Sequence, residues 1–373
     1  MEIEPFAFTN WLNDFFTAYY HRRPVNATFV GMHELDHQLP DYSEGGAADT
    51  INEMQSLLAR LQTLPEEPLR PAQMLDRKLA EGYLRTQLWE FESDHFQRGN
   101  PCQYTGEAVF SVISLFLTDY APIEERVAAA VDRINAIPGF LAQGMTNLQQ
   151  APEMWIRQSL DECTGALAFF NQGIDRITSD YSIHNLAFKS ASVKASDAFE
   201  QFQGFLQQNL LPHATQNYAS GQEAFELMLH SGHFVHLDLD EYVRYAESQI
   251  DEAEAYLSEH AADFGAGSSA EALAKLADIH PTLDEYYQRF NLIWQACCEL
   301  AQQKQLITWP DFPIEYIPQP LWARDAAPHL YFLPYRSPAV YLRPAVHRYL
   351  VPTLHTGMTE RSICSCFSSV IPV

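Results

Sequence analysis

Residues 123–137 read IEERVAAAVDRINAI. Apolar and charged positions alternate there at a helical period, and Pro138 follows at once. The stretch predicts an amphipathic helix that stops before the proline. The same grammar extends in both directions. Toward the N-terminus, Phe8, Trp11, Leu12, Phe15, Phe16 and Tyr19 form one apolar face of an opening helix. Residues 51–64 and 71–93 read as two more helices, and 105–119, carrying AVFSVISLFL, as one buried nearly all round. Toward the C-terminus, helices are expected over 139–149, 152–176, 189–211 and 221–229. Asp238 followed by Glu241 has the form of a capping box and opens a long helix to about residue 258. Gly265, Gly267, Ser268 and Ser269 make a flexible link, and 271–277 and 283–304 are the last helices.

After Thr308 the grammar changes. WPDFPIEYIPQPLWARDAAPHLYFLPYRSPAVYLRP is dense in proline and aromatics without a 3.6 period, so extended chain or short strands are expected. The fold class is therefore mainly α: an elongated array of long helices closed by an irregular Pro/aromatic segment. Residues 1–352 are expected to form one helical domain. The tail 353–373, TLHTGMTERSICSCFSSVIPV, shifts to Ser, Cys and Thr and has the look of an out-of-frame or replaced terminus.

Composition narrows the partners. The chain carries 23 basic against 48 acidic residues, a formal charge of −25. That field repels nucleic acid and anionic membranes. Its longest apolar run, ten residues from Ala108 to Leu117, is too short to span a bilayer as a helix. MEIEPFAFTNW has neither the basic nor the apolar part of a signal peptide. Cys102, Cys163, Cys297, Cys298, Cys364 and Cys366 show no paired spacing, which suits a reducing cytoplasm.

One motif raises a metal question. His33-Glu34-Leu35-Asp36-His37 spells HExxH, in which two histidines on one helical face hold zinc and the glutamate polarises the bound water. Gly31, Pro40 and Gly45-Gly46 leave no room for such a helix, and a charged Asp36 fits poorly among packed neighbours. Only the general run of acids (Glu44, Glu53, Glu66, Glu67) offers a third ligand. LPDYSEGG reads instead as a turn with Asx and Ser capping. His230, His233 and His236 are spaced by three but straddle Ser231-Gly232, a helix end, so capping or packing is expected of them. Cys297-Cys298 read as buried, inert thiols. Tyr335-Arg336 lies in the aromatic, proline-ordered segment, where a guanidinium can clamp a substrate carboxylate.

VNATFVGMHELDHQLPDYS, NPCQYTGEAVFSVISLFLTDY, APIEERVAAAVDRINAIPGFLAQGMTNL and FLQQNLLPHATQNYASGQEAFELMLHSGHFVHLDLDEY, in this order and spacing, resemble the bacterial domain-of-unknown-function family 885. The likeness reaches about Val351. It implies a helical fold related to zinc peptidases, with HELDH as a loop after the first helix. It places the zinc motif, HExxPGHH or a variant, farther along, and no such motif is written in these 373 residues. The expectation is the cleft-forming part of a metallopeptidase-like hydrolase, truncated and catalytically incompetent as it stands. It has no catalytic or metal residue of its own, and zinc is expected only in full-length members. A non-catalytic helical binding or scaffold protein is the alternative, and a zinc hydrolase using His33, Glu34 and His37 the second. A peptide or other small substrate is the expected partner, with self-association through exposed apolar surface.

Overall fold

A computed structural model describes residues 7–65, 69–279, 281–282, 285–306, 314–327, 332–333 and 347–351. The chain divides into two compact units, Met1–Leu237 with Asp325–Ala327, and Asp238–Arg324 with Pro328–Val373.

The first unit is helical throughout its described residues. It contains α1 (Ala7–Arg22), α2 (Pro24–Phe29), α3 (Glu44–Thr63), α4 (Pro71–Glu92) and α5 (Cys102–Ile113). These are followed by α6 (Ile123–Asn147), α7 (Glu153–Ala168), α8 (Ile174–Asp180), α9 (Leu186–Phe205) and α10 (Gln222–Leu227). The apolar face read from residues 8–19 is the buried face of α1, where Phe8, Trp11 and Phe15 are inside. The Trp11 indole donates to the Leu57 carbonyl on α3 at 3.0 Å, so a polar edge is satisfied within an apolar contact. Ser43 caps α3 by accepting from the Gly46 amide. Asp41 accepts from the Ser43 amide just before it, the Asx and Ser capping that the sequence suggested.

The core lies among α5, α6, α7 and α9, which pack on one another. Tyr104, Ala108, Val112, Ile134, Ile137, Leu141, Ile156, Phe199 and Phe202 are fully enclosed there. Gly144 lets α6 approach closely, since a Cβ at that position would come within 2.8 Å of the Tyr104 ring.

Two readings of helix boundaries are corrected. Pro138 does not end the helix: α6 runs through it to Asn147, joining the stretch expected as a separate helix. Pro138 is half-buried and Gly139 exposed. Meanwhile Ile134, Ile137, Phe140 and Leu141 anchor the inner face. Packing on both sides outweighs one lost hydrogen bond. Pro152 caps α7 from outside rather than occupying its first turn. The rods α7, α9 and α10 each continue into a wide π-turn, Phe169–Gly173, Leu206–Leu210 and Met228–Gly232. The last of these rests on α4 at Gly82, where a Cβ would meet the Ser231 carbonyl oxygen.

In the second unit are α11 (Leu239–Glu259), α12 (Ser269–Ala277), α13 (Tyr286–Lys304), β1 (Ile314–Pro318), β2 (Phe332–Leu333) and β3 (His347–Val351). The Asp238/Glu241 capping box is present with both reciprocal bonds. Gly265 adopts the left-handed conformation and Ser268 caps α12, so the expected link is a built turn. The strands after Thr308 make a small sheet in the order β1-β3-β2. In it β1 runs parallel to β3 (Ile314 opposite His347) and β2 antiparallel (Phe332 opposite Tyr349). Cys297 is exposed and Cys298 half-buried, not enclosed as expected. Among the described side chains of α13, Tyr286, Phe290 and Ala301 are buried, and Ile293, Trp294 and Cys298 are half-buried. Tyr335, Arg336 and the tail 353–373 lie outside the described residues.

Candidate functional site

HELDH is a turn between α2 and α3, not a helix. Each of its histidines has its own carboxylate partner. The His33 ring stacks on Tyr120, centroids 3.5 Å apart, with Nδ1 3.1 Å from Asp36. His37 Nδ1 lies 2.6 Å from Asp132 on α6. Glu34 is exposed. Of the third ligands considered, Glu53 pairs with Arg22 at 2.9 Å, and Glu66 and Glu67 lie outside the described residues. The turn does not fit zinc, because two histidines off a helix and committed to different carboxylates share no metal-facing side. Among the described residues no group of three or more His, Cys, Asp or Glu is placed to hold a metal ion.

Asp36 is instead a structural hub. The sequence reading took its charge as unsuited to packed surroundings, yet it is buried. It accepts from Thr28 Oγ1 at 2.5 Å and from the Tyr120 hydroxyl. Burial alone would push its carboxyl up, but the hydrogen bonds from His33, Thr28 and Tyr120 outweigh it and hold the group below the usual range. Behind Thr28 stands Arg133 of α6, completely enclosed. It donates to Thr28 Oγ1 at 2.6 Å and to the Ser111, Pro24 and Leu35 carbonyls at 2.7, 3.1 and 3.3 Å. One guanidinium thus ties α2, the HELDH turn and α5 to α6.

The cleft with the most chemistry lies beside this hub, around Arg23. Its volume is about 590 Å³ and its walls include Arg23, Tyr42, Glu90, His95, Phe96 and Glu107. Arg23 stands at the α1–α2 junction, directly before Pro24. Its guanidinium donates to the Gln87 side-chain oxygen and packs over the Tyr19 and Tyr83 rings at 5.1 and 5.6 Å. Gln87 in turn donates to Glu90. Cys102, Gln103, Gly106, Glu107 and Phe110 recur at helical spacing and present one face of α5 to the cleft. Burial raises Glu90, against the Gln87 hydrogen bond and the Arg23 charge. Burial raises Glu107 to about 7, with Arg23 and Arg133 pulling the other way. Glu107 is half-buried and has no hydrogen bond or ion pair among the described residues.

Sequence reasoning missed this cleft. A weaker signal was there, since Glu107 interrupts the stretch 105–119 read as buried nearly all round. Of the three spaced histidines, His230 Nε2 lies 3.0 Å from the Leu237 carbonyl and its ring stands 6.4 Å from that of His236, while His233 is exposed. The Cys102 thiol, raised by burial, donates to the Trp155 carbonyl, which disfavours the reactive thiolate.

A family model described as bacterial protein of unknown function, DUF885, matches residues 24–332. No curated protein matches the chain. Two solved structures share its fold, both described as putative lipoproteins. The one from Shewanella oneidensis, of unknown function, superposes with a TM-score of 0.72 at 17% identity, over 96% of this chain and 66% of that one. The one from Colwellia psychrerythraea gives 0.70 at 12%, over 97% and 70%. The chain thus spans about two thirds of the length of these structures. No helix among the described residues is long and apolar enough to cross a membrane.

Proposed function

The chain belongs to the bacterial family of unknown function DUF885, and from that premise we propose that it supplies the substrate-binding cleft of a metallopeptidase-like hydrolase. The observation that carries the reading is Glu107, a half-buried carboxyl with no hydrogen bond or ion pair among the described residues, facing a roomy cleft that also holds Arg23 and Glu90. Its acceptor sites open onto the cleft, where a bound ligand supplies the partner. Arg23 can fork onto a carboxylate or carbonyl, and Tyr42, Phe96 and Phe110 give apolar walls.

The resemblance puts zinc in a motif absent from these residues, so this chain binds substrate without turning it over. The six cysteines, without paired spacing, support a cytoplasmic location on this reading, which cell fractionation tests. The test of function is calorimetric titration with a library of short peptides, joined to a cleavage assay with zinc, cobalt and chelator arms. Binding that weakens at least tenfold in Arg23→Met, without cleavage in any arm, is expected. Chelator-sensitive cleavage lost in Glu34→Gln would overturn the reading and restore HELDH as a zinc site.

A non-catalytic scaffold is the competing reading. It is favoured by α11, a long helix with no buried residue that exposes Val243, Tyr245, Ile250 and Tyr256. Absence of binding by every peptide decides for it.

A further inference from the structure

We propose that the Arg23 cleft selects ligands bearing a protonated amine, which sits between Glu90 and Glu107. The inference rests on the reading of this cleft as the substrate site, and it names the chemical class that the site takes.

The cation already in the cleft does not satisfy its acids. Arg23 is directed to the Gln87 oxygen and lies against the Tyr19 and Tyr83 rings. Among the described residues, the Glu90 carboxylate receives only the Gln87 amide, at the far end of that relay, and Glu107 receives nothing. The wall thus carries two carboxyl groups with open acceptor sites against one guanidinium. An ammonium offers three donors and one charge, the complement of that deficit. The aromatic walls, Tyr42, Phe96, Phe110 and His95, suit the apolar stem behind an amine and the cation itself. The floor is open: a Cβ on Gly106 would meet nothing within 4 Å, so this helical position can be filled without strain.

Protonation supplies a second handle. The charged or titratable groups around Glu107 are Arg23 at the α1–α2 junction, Arg133 on α6, Glu90 on α4, His95 after α4, Tyr42 before α3 and Cys102 on its own helix. Burial sets Glu107 near 7 against the two arginines. Near neutrality an arriving ammonium therefore meets a partly protonated carboxyl and expels its proton. Affinity for a permanently protonated amine rises with pH as Glu107 ionises.

The α-amine of a peptide and the side-chain amine of lysine share this chemistry. Titration calorimetry on the full chain, with alanyl-phenylalanine amide, its N-acetyl form and Nα-acetyl-lysine amide, separates them. Whichever amine source fits should bind at least tenfold more tightly than the acetylated dipeptide. Glu107→Gln and Gly106→Leu should each weaken it about tenfold or more, with thermal melts showing both variants folded. For the lysine amide, affinity should rise from pH 6 to pH 8. Heats measured in buffers of different ionisation enthalpy should report proton release that Glu107→Gln abolishes. If the acetylated dipeptide binds as tightly as the free amine and Gly106→Leu abolishes both, the amine inference fails while the substrate cleft stands. If no dipeptide binds but the lysine amide does, the amine inference stands without the peptide reading. If nothing binds, both fall.

Discussion

Asp36 and Arg133 show what one residue's neighbours decide. The breakers Gly31 and Pro40 made the HELDH turn legible, because they act locally. The burial of Asp36 was not legible, because its support comes from Thr28, Tyr120 and, behind Thr28, an arginine far along the chain on α6. Truncating Arg133 removes a positive charge near the buried Asp36 and strands the Ser111, Pro24 and Leu35 carbonyls. Arg133→Ala is therefore expected to cost about 3–5 kcal/mol in urea unfolding. A loss below about 1 kcal/mol would show that the hub is not structural. Asp36 and Glu107 have opposite pH signatures. Asp36, held low in the folded chain, contributes stability that is present above the unfolded aspartate pKa, about 3.9, and fades as pH falls below it. Glu107, held high, favours the fold fully below the unfolded glutamate value, about 4.3, and that advantage is lost as pH rises through about 7. Glu107→Gln should consequently stabilise the chain at pH 8, by up to about 3 kcal/mol, and much less at pH 5. Equal effects at both pH values would mean that Glu107 titrates normally.

At the scale of elements, local signals were read well where they are chemical. Ser43 and the pair Asp238 with Glu241 mark ends that the structure keeps. They were misread where packing overrides them. Pro138 removes the donor that would bond the Ile134 carbonyl, yet α6 continues because its inner face is held on either side of the break. The three π-turns had no signature in the sequence, since a wide turn is fixed by what packs against it. Pro138→Ala restores the missing donor in a better helix former. It should raise stability by about 1–3 kcal/mol in equilibrium urea unfolding. Destabilisation instead would mean that the proline sets a bend on which the seating of Phe140 and Leu141 depends.

For the whole molecule, the fold class followed from periodicity, while the candidate site did not. The cleft draws on the α1–α2 junction, the approach to α3, the end of α4 and one face of α5. Only folding makes these segments neighbours. The opposite holds for HELDH, whose residues are neighbours in sequence and yet are committed to separate partners, Asp36 and Asp132. That contrast makes metal content a sharp test. Zinc held by an HExxH motif needs both histidines on one side of a helix and a third ligand across from them. Here the pair sits on a turn, with no set of three candidate ligands among the described residues. The charge of −25 will gather divalent ions loosely around the chain. Such ions are held by a screened field rather than by coordination, and dialysis at moderate salt removes them. The purified chain, dialysed and analysed for metals, is expected to keep well below one zinc per molecule, with the same residue in a His33→Ala/His37→Ala variant. One zinc per chain that survives dialysis and disappears in that variant would show that the turn rearranges into a metal site, and would transfer the chemistry from the Arg23 cleft to the loop.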